Sequence, residues 1–167
     1  MIKYEIGDIF TALDWAKSEG FPLAMAHCCN CQNTMKSGIA PLVAKHFPAA
    51  WRADQETVRG DRSKLGSITE AWSDCGDILV FNLYGQYGYW NRKQGKMDLE
   101  YPALDSALEM MALSLHSKCR LSDISPAEVK VFLPKIGAGL AGGDWKVIEP
   151  MIDKHLGKFD VTVFQLK

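Results

Sequence analysis

Long apolar runs are missing from this sequence, and no stretch approaches the roughly 20 residues needed to span a bilayer. A membrane partner is therefore not expected. The opening Met1-Ile2-Lys3-Tyr4-Glu5 also lacks the apolar segment of a secretory leader, so a cytoplasmic location is expected. Charge of one sign is not in excess: 19 Lys+Arg stand against 20 Asp+Glu, a formal net charge of −1. Such a chain has no overall positive field to displace counterions from a phosphate backbone, so dedicated nucleic-acid binding is not expected. The five cysteines are an odd number, and Cys28, Cys29 and Cys31 are crowded together. Secreted disulfide frameworks use even, spaced sets, so reduced thiols are expected. No repeat, low-complexity tract or long Pro/Gly/Ser linker interrupts the chain, which reads as one domain over residues 1–167 and as a monomer.

What is present suffices for a core. Of 167 residues, 47% are hydrophobic and 23% charged, and a chain of this length buries roughly 70% of its unfolded surface. Short apolar segments bounded by turn or charge signals predict strands at Leu23–Cys29, Gly66–Trp72, Asp77–Leu83, Val129–Leu133 and Asp160–Leu166, after a first short strand that ends before Gly7. Helical spacing predicts helices over Ile39–Phe47 and Pro102–Lys118. Asp144 is placed to cap a third helix toward Leu156, with a kink or late start expected at Pro150. Strands alternating with helices predict an α/β fold, a sandwich around a largely parallel sheet. Ligands of such sheets sit at the carboxyl ends of the strands.

Two loops meet that condition. His27-Cys28-Cys29-Asn30-Cys31-Gln32-Asn33-Thr34-Met35-Lys36-Ser37-Gly38-Ile39-Ala40 leaves one strand and opens a helix, as does Pro134 to Trp145. The second loop holds Gly137, Gly139, Gly142 and Gly143, and a backbone so free of side chains can approach a phosphate closely. Its Gly137–Gly142 segment matches G-x-G-x-x-G, but only 25 residues follow, too few for the sheet half of a dinucleotide fold. His27 and the thiols suggest zinc, yet successive strand residues face opposite ways and no second ligand pair is suitably spaced, so no metal is expected. The thiols read as small packed hydrophobes, and a cysteine nucleophile would have only His27 as base. Asn30 and Asn33 can orient a sugar hydroxyl or a water, or simply form the turn. Asp8 can cap a helix or accept from an exocyclic amine. Tyr84 to Asn91 can stack on a base or pack, and Trp51 to Lys64 reads as a solvated helix or loop without chemistry.

In order and spacing, these segments resemble the macro domain family of ADP-ribose-binding proteins. The pieces are Gly7-Asp8-Ile9-Phe10, the His27–Ala40 loop, Asn82 to Tyr87, Tyr101-Pro102-Ala103-Leu104, Leu133–Trp145 and Val161 to Phe164. With His27-Cys28-Cys29-Asn30, the chain is similar to the branch holding ADP-ribose 1″-phosphate phosphatases and terminal ADP-ribose glycohydrolases. The resemblance implies a three-layer α/β/α sandwich with a mixed, largely parallel sheet. It implies that Asp8 takes the adenine amine and the Ile9 backbone the ring edge. The amides of Ser37, Gly38, Ile39 and Ala40, and of Gly137, Ala138, Gly139, Leu140 and Ala141, would hold the diphosphate and distal ribose, with Met35, Gln86 and Ile136 alongside. Asn30 would meet that ribose. The glycohydrolase lysine and aspartate stand here as Gln86 and Ala141. The implied ligand is ADP-ribose or ADP-ribose 1″-phosphate, with no cofactor. The implied reaction is phosphate release by water, with Asn30 positioning and His27 relaying a proton. Removal of ADP-ribose from modified protein or nucleic acid through Asp144, and non-catalytic ADP-ribose reading, are the alternatives.

Overall fold

A computed structural model describes residues 1–167. Its strands are β1 (Lys3–Ile6), β2 (Leu23–Cys29), β3 (Ile68–Trp72), β4 (Ile78–Tyr84), β5 (Lys130–Pro134) and β6 (Asp160–Gln165). Its helices are α1 (Ile9–Ser18), α2 (Ala40–His46), α3 (Pro48–Gln55), α4 (Tyr101–Ser122) and α5 (Trp145–Leu156). The sheet order is β1-β6-β5-β2-β4-β3, with every neighbouring pair parallel except the antiparallel β3–β4 edge. This is the largely parallel sheet anticipated from the alternation of elements, mixed through its one antiparallel edge as the family resemblance implied, and no helix is long and apolar enough to cross a membrane.

The two faces follow from the period of two along each strand. Ala24, Ala26, Leu79, Phe81 and Leu83 point toward α4 and α5, whose Leu104, Leu108, Met111, Ile148 and Ile152 complete one core. Leu23, Met25, Ile78 and Val80 point the other way, onto Leu13, Val43 and Ala50 of α1, α2 and α3. Continuing that alternation puts His27, Cys29, Asn82 and Tyr84 on the face of α1–α3, which matters below. All seven residues of β4 are buried, as expected for a strand covered on both sides.

Asp144 caps α5 by accepting from the Lys146 amide at 2.9 Å. The late start expected at Pro150 does not occur. Pro150 is the sixth residue of an uninterrupted α5, and the carbonyl it leaves without a partner belongs to exposed Lys146, where water can serve it. Helices α1 and α3 had no counterpart among the helices read from the sequence; α3 spans eight residues and buries only Ala50 and the polar Asp54, so it shows no apolar stripe.

Because β2 lies between β5 and β4, the loops after β2 and β5 leave neighbouring strands and face each other across a crevice. They come close: Leu140 Cδ1 lies 3.8 Å from the position a Cβ on Gly38 would take.

Candidate functional site

The first loop is held by side chains. Asn30 accepts from the Gln32 amide (2.8 Å) and donates to Thr34 Oγ1 (2.9 Å), a turn that still leaves it on the crevice wall. Asn33 does not line the crevice. It donates to the Thr57 carbonyl (2.8 Å), and its Oδ1 takes the Lys64 ammonium (2.5 Å). Lys64, only 7% exposed, also donates to Thr57 Oγ1 and the Val58 carbonyl. Met35 adopts a left-handed φ of 41° and is kept there by burial beside Ile39 and Val43.

The second loop is held by its backbone and by packing. Gly137 and Gly142 have φ of 72° and 81°, and the Gly143 amide donates to the Gly137 carbonyl at 2.8 Å. A Cβ on Gly143 would lie 2.4 Å from Leu99 Cδ2 and 2.6 Å from that carbonyl oxygen, whereas one on Gly139 would meet nothing within 4 Å. The glycines at 137 and 143 thus serve packing, and the one at 139 leaves open space over the crevice.

Between these loops lies a cavity walled by Asn30, Met35, Ser37, Gly38, Ile39, Ala40, Gln86, Ile136, Gly137, Gly139, Leu140 and Ala141, with Lys36, Arg92 and Lys135 as its cations. A second, more apolar cavity holds Asp8, Ile9, Phe10 and Phe164, and the two share Gly38, Ile39, Pro134 and Lys135. Asp8 caps α1 through the Phe10 amide (2.9 Å) and lines this second cavity as well. The amides of Ser37, Gly38, Ile39, Gly137, Gly139, Leu140 and Ala141 donate to no other group of the protein. Ala40 and Ala138 differ from expectation, since their amides donate to the carbonyls of Ser37 and Lys135, and Ala138 lies outside the cavity wall. A cluster of free N–H groups beside lysine and arginine is chemically an anion site.

Two residues singled out for chemistry are not in the cavity. His27 is fully buried, with Nε2 at 2.6 Å from Asn82 Oδ1. The Asn82 amide nitrogen is occupied as a donor to the Ala50 carbonyl and Thr69 Oγ1, so its oxygen accepts from a neutral His27. Desolvation pushes the imidazole pKa down to about 4, against the opposing effect of the Asn82 bond. A proton relay from His27 to a bound ligand is thereby corrected to an interior hydrogen bond. Asp144 is likewise outside the wall, because its carboxyl is engaged in capping α5 and its amide donates to Tyr101.

The thiols are suppressed. Burial pushes Cys28 up to about 12 and Cys31 up to about 11, and raises Cys29 well above its usual range, so none is a ready thiolate. Of the aromatic run after β4, Tyr89 reaches the cavity, while Tyr87 and Trp90 pack edge-on against each other.

Sequence reading missed two carboxyl groups in the wall, Asp54 and Asp98. Asp54, 1% exposed, accepts from the buried Tyr84 hydroxyl at 2.8 Å, and desolvation raises its pKa against that bond and the Lys64 charge. The Tyr84 hydroxyl also meets Thr69 Oγ1 (3.0 Å), which links it to Asn82 and so to His27. A signal existed: Phe47, Ala50 and Asp54 recur at helical spacing and share the inward face of their segment.

No protein-family profile matches the chain. A curated relative named ADP-ribose 1″-phosphate phosphatase, from Debaryomyces hansenii, is 32% identical over 173 residues, covering 92% of this chain and 93% of its own. A solved structure described as a macrodomain protein from Streptomyces coelicolor is 27% identical with a TM-score of 0.65, covering 99% of both chains. Thermosipho africanus DarTG, solved in complex with ADP-ribose, shares the fold at a TM-score of 0.65 and 17% identity, covering 99% of this chain and 42% of its own. Order of strands, placement of the two loops and these likenesses agree that the chain belongs to the macro domain family.

Proposed function

We propose that this protein binds ADP-ribose and releases inorganic phosphate from ADP-ribose 1″-phosphate. The observation that carries the reading is the set of free amides from both loops around a cavity that continues into an apolar pocket beside Asp8. A nucleotide fits that division. The apolar pocket suits a base whose amine meets Asp8, the shared rim suits a diphosphate, and the polar cavity suits the second sugar and its phosphate. The phosphatase name of the Debaryomyces relative supports the reaction. So does the lack of an amine at Gln86, which removes a covalent route through a lysine.

In this reaction water attacks phosphorus, the bond between phosphorus and the anomeric oxygen breaks, and ADP-ribose leaves with that oxygen protonated. Free amides together with Arg92 and Lys36 would offset charge gathering on the phosphoryl oxygens. Asn30, on the wall with its Oδ1 and Nδ2 each able to make one more bond, would orient the water or the sugar. His27 contributes from beneath by keeping β2 and β4 in register at Asn82.

Non-catalytic reading of ADP-ribose is the second interpretation, favoured by the withdrawal of His27 and Asp144 from the cavity and by the protonated thiols. Phosphorus NMR of ADP-ribose 1″-phosphate with the protein and a chelator separates the two. Growth of inorganic phosphate with the diphosphate intact supports the phosphatase. Shifted diphosphate signals without release support the reader, and unshifted signals without release reject both.

A further inference from the structure

Asp98 lies between β4 and α4, is only 5% exposed, and belongs to the wall of the polar cavity but not of the cavity beside Asp8. Its backbone is fixed against the second loop, because the amides of Asp98 and Leu99 both donate to the Ala141 carbonyl at 3.0 Å. Oδ1 accepts the Asn91 amide at 3.2 Å, whereas Oδ2 is buried with no hydrogen-bond partner in the protein. It is the sole buried side-chain oxygen or nitrogen in that condition. Leaving a buried acceptor without a donor costs free energy, and nothing in the fold recovers it.

The chemistry of the cavity indicates what the donor is. A phosphoryl group brings only acceptors and negative charge, so it is drawn to the free amides and cations and kept from Asp98. A sugar hydroxyl brings a donor, and a carboxyl oxygen accepting from a ribose hydroxyl is a general mode of sugar recognition. We propose that Asp98 Oδ2 accepts a hydroxyl of the sugar at the end of the ligand opposite the base. This rests on the nucleotide reading above and adds to it the residue that distinguishes ADP-ribose from ADP. Asp98 acts as a specificity residue, matched to a sugar hydroxyl beyond the diphosphate.

The test is amide-observed NMR titration of wild type, Asp98→Ala and Asp98→Asn with ADP-ribose and with ADP, which lacks the second sugar. Such titrations read affinities into the millimolar range, so ADP is measurable even when weak. Loss of one hydrogen bond to a charged acceptor predicts that Asp98→Ala weakens ADP-ribose by about ten-fold or more and ADP by less than about two-fold. Asparagine offers one acceptor where two donors converge, so Asp98→Asn falls in the same direction with the wall's shape kept, which controls for misfolding. Equal affinity for ADP-ribose in all three proteins overturns the assignment while leaving the cradle intact. Parallel losses for ADP and ADP-ribose overturn it as well, since Asp98 would then support the wall rather than meet the sugar. Wild type that binds neither ligand overturns the nucleotide reading and this inference with it.

Discussion

The two loops that face each other across the crevice are built on opposite plans. The loop after β2 is tied down by buried polar side chains drawn from α3 and the segment after it: Asn33 to Lys64 and Thr57, and below it Asp54, Tyr84, Asn82 and His27 in a connected set. The loop after β5 has almost no side-chain bonds and is shaped by glycines packed on Leu99 and Ile148. A polar scaffold responds to protons, and a packed one responds to volume. The same cradle therefore has two distinct ways to fail.

Three perturbations sharpen that contrast, ordered by their expected effect on stability. Gly143→Ala forces a methyl group against Leu99 and the Gly137 carbonyl, and because the latter is backbone, a loss of about 3 kcal/mol or more is expected. Thermal denaturation measures it; an unchanged melting temperature would show that the second loop does not depend on its packing. The polar side should give way to acid instead. With a native pKa of about 4 against an ordinary 6.5, His27 stays neutral in the fold while the unfolded chain takes up a proton. Its contribution is fully present above pH 6.5 and is lost as pH falls toward 4, up to about 3 kcal/mol at 1.36 kcal/mol per unit. Urea unfolding across that window should therefore flatten in His27→Gln, whose amide can still donate to Asn82 but does not titrate. A slope identical to wild type would remove His27 from the acid response.

Gly139→Val has the smallest expected cost in stability, under about 0.5 kcal/mol, because a side chain there meets no atom of the protein. It should nonetheless weaken ADP-ribose at least about a hundred-fold by filling the space above the free amides. Retained affinity, measured by calorimetry beside an unchanged melting curve, would count against the second loop as part of the cradle.

How much of this could be read beforehand differs between the loops for the same reason. The glycine pattern at 137, 139, 142 and 143 announces a close backbone approach without reference to any other part of the chain. The first loop advertises Asn30 and Asn33 equally, yet one lines the cavity and the other binds Lys64, 31 residues away in sequence. The polar run from Trp51 to Lys64 looked solvated because Asp and Lys are ordinarily exposed, and only pairing with Tyr84, Asn33 and Thr57 makes their burial affordable. His27 stands in a loop of candidate reacting groups, but its position within β2 decides that it faces α3 rather than the cavity.

Local pattern by itself determined the alternation of strands and helices, the bounds of β2, the cap on α5 and the two loops where a ligand can approach, since each depends on residues close together in the chain. Tertiary structure alone decided which polar groups reach the cavity. It withdrew His27 and Asp144, and it brought Asp54 and Asp98 to the wall. A side chain's access to a cavity depends on partners distant in sequence and on the balance between desolvation and hydrogen bonding, and neither is written in the neighbouring residues.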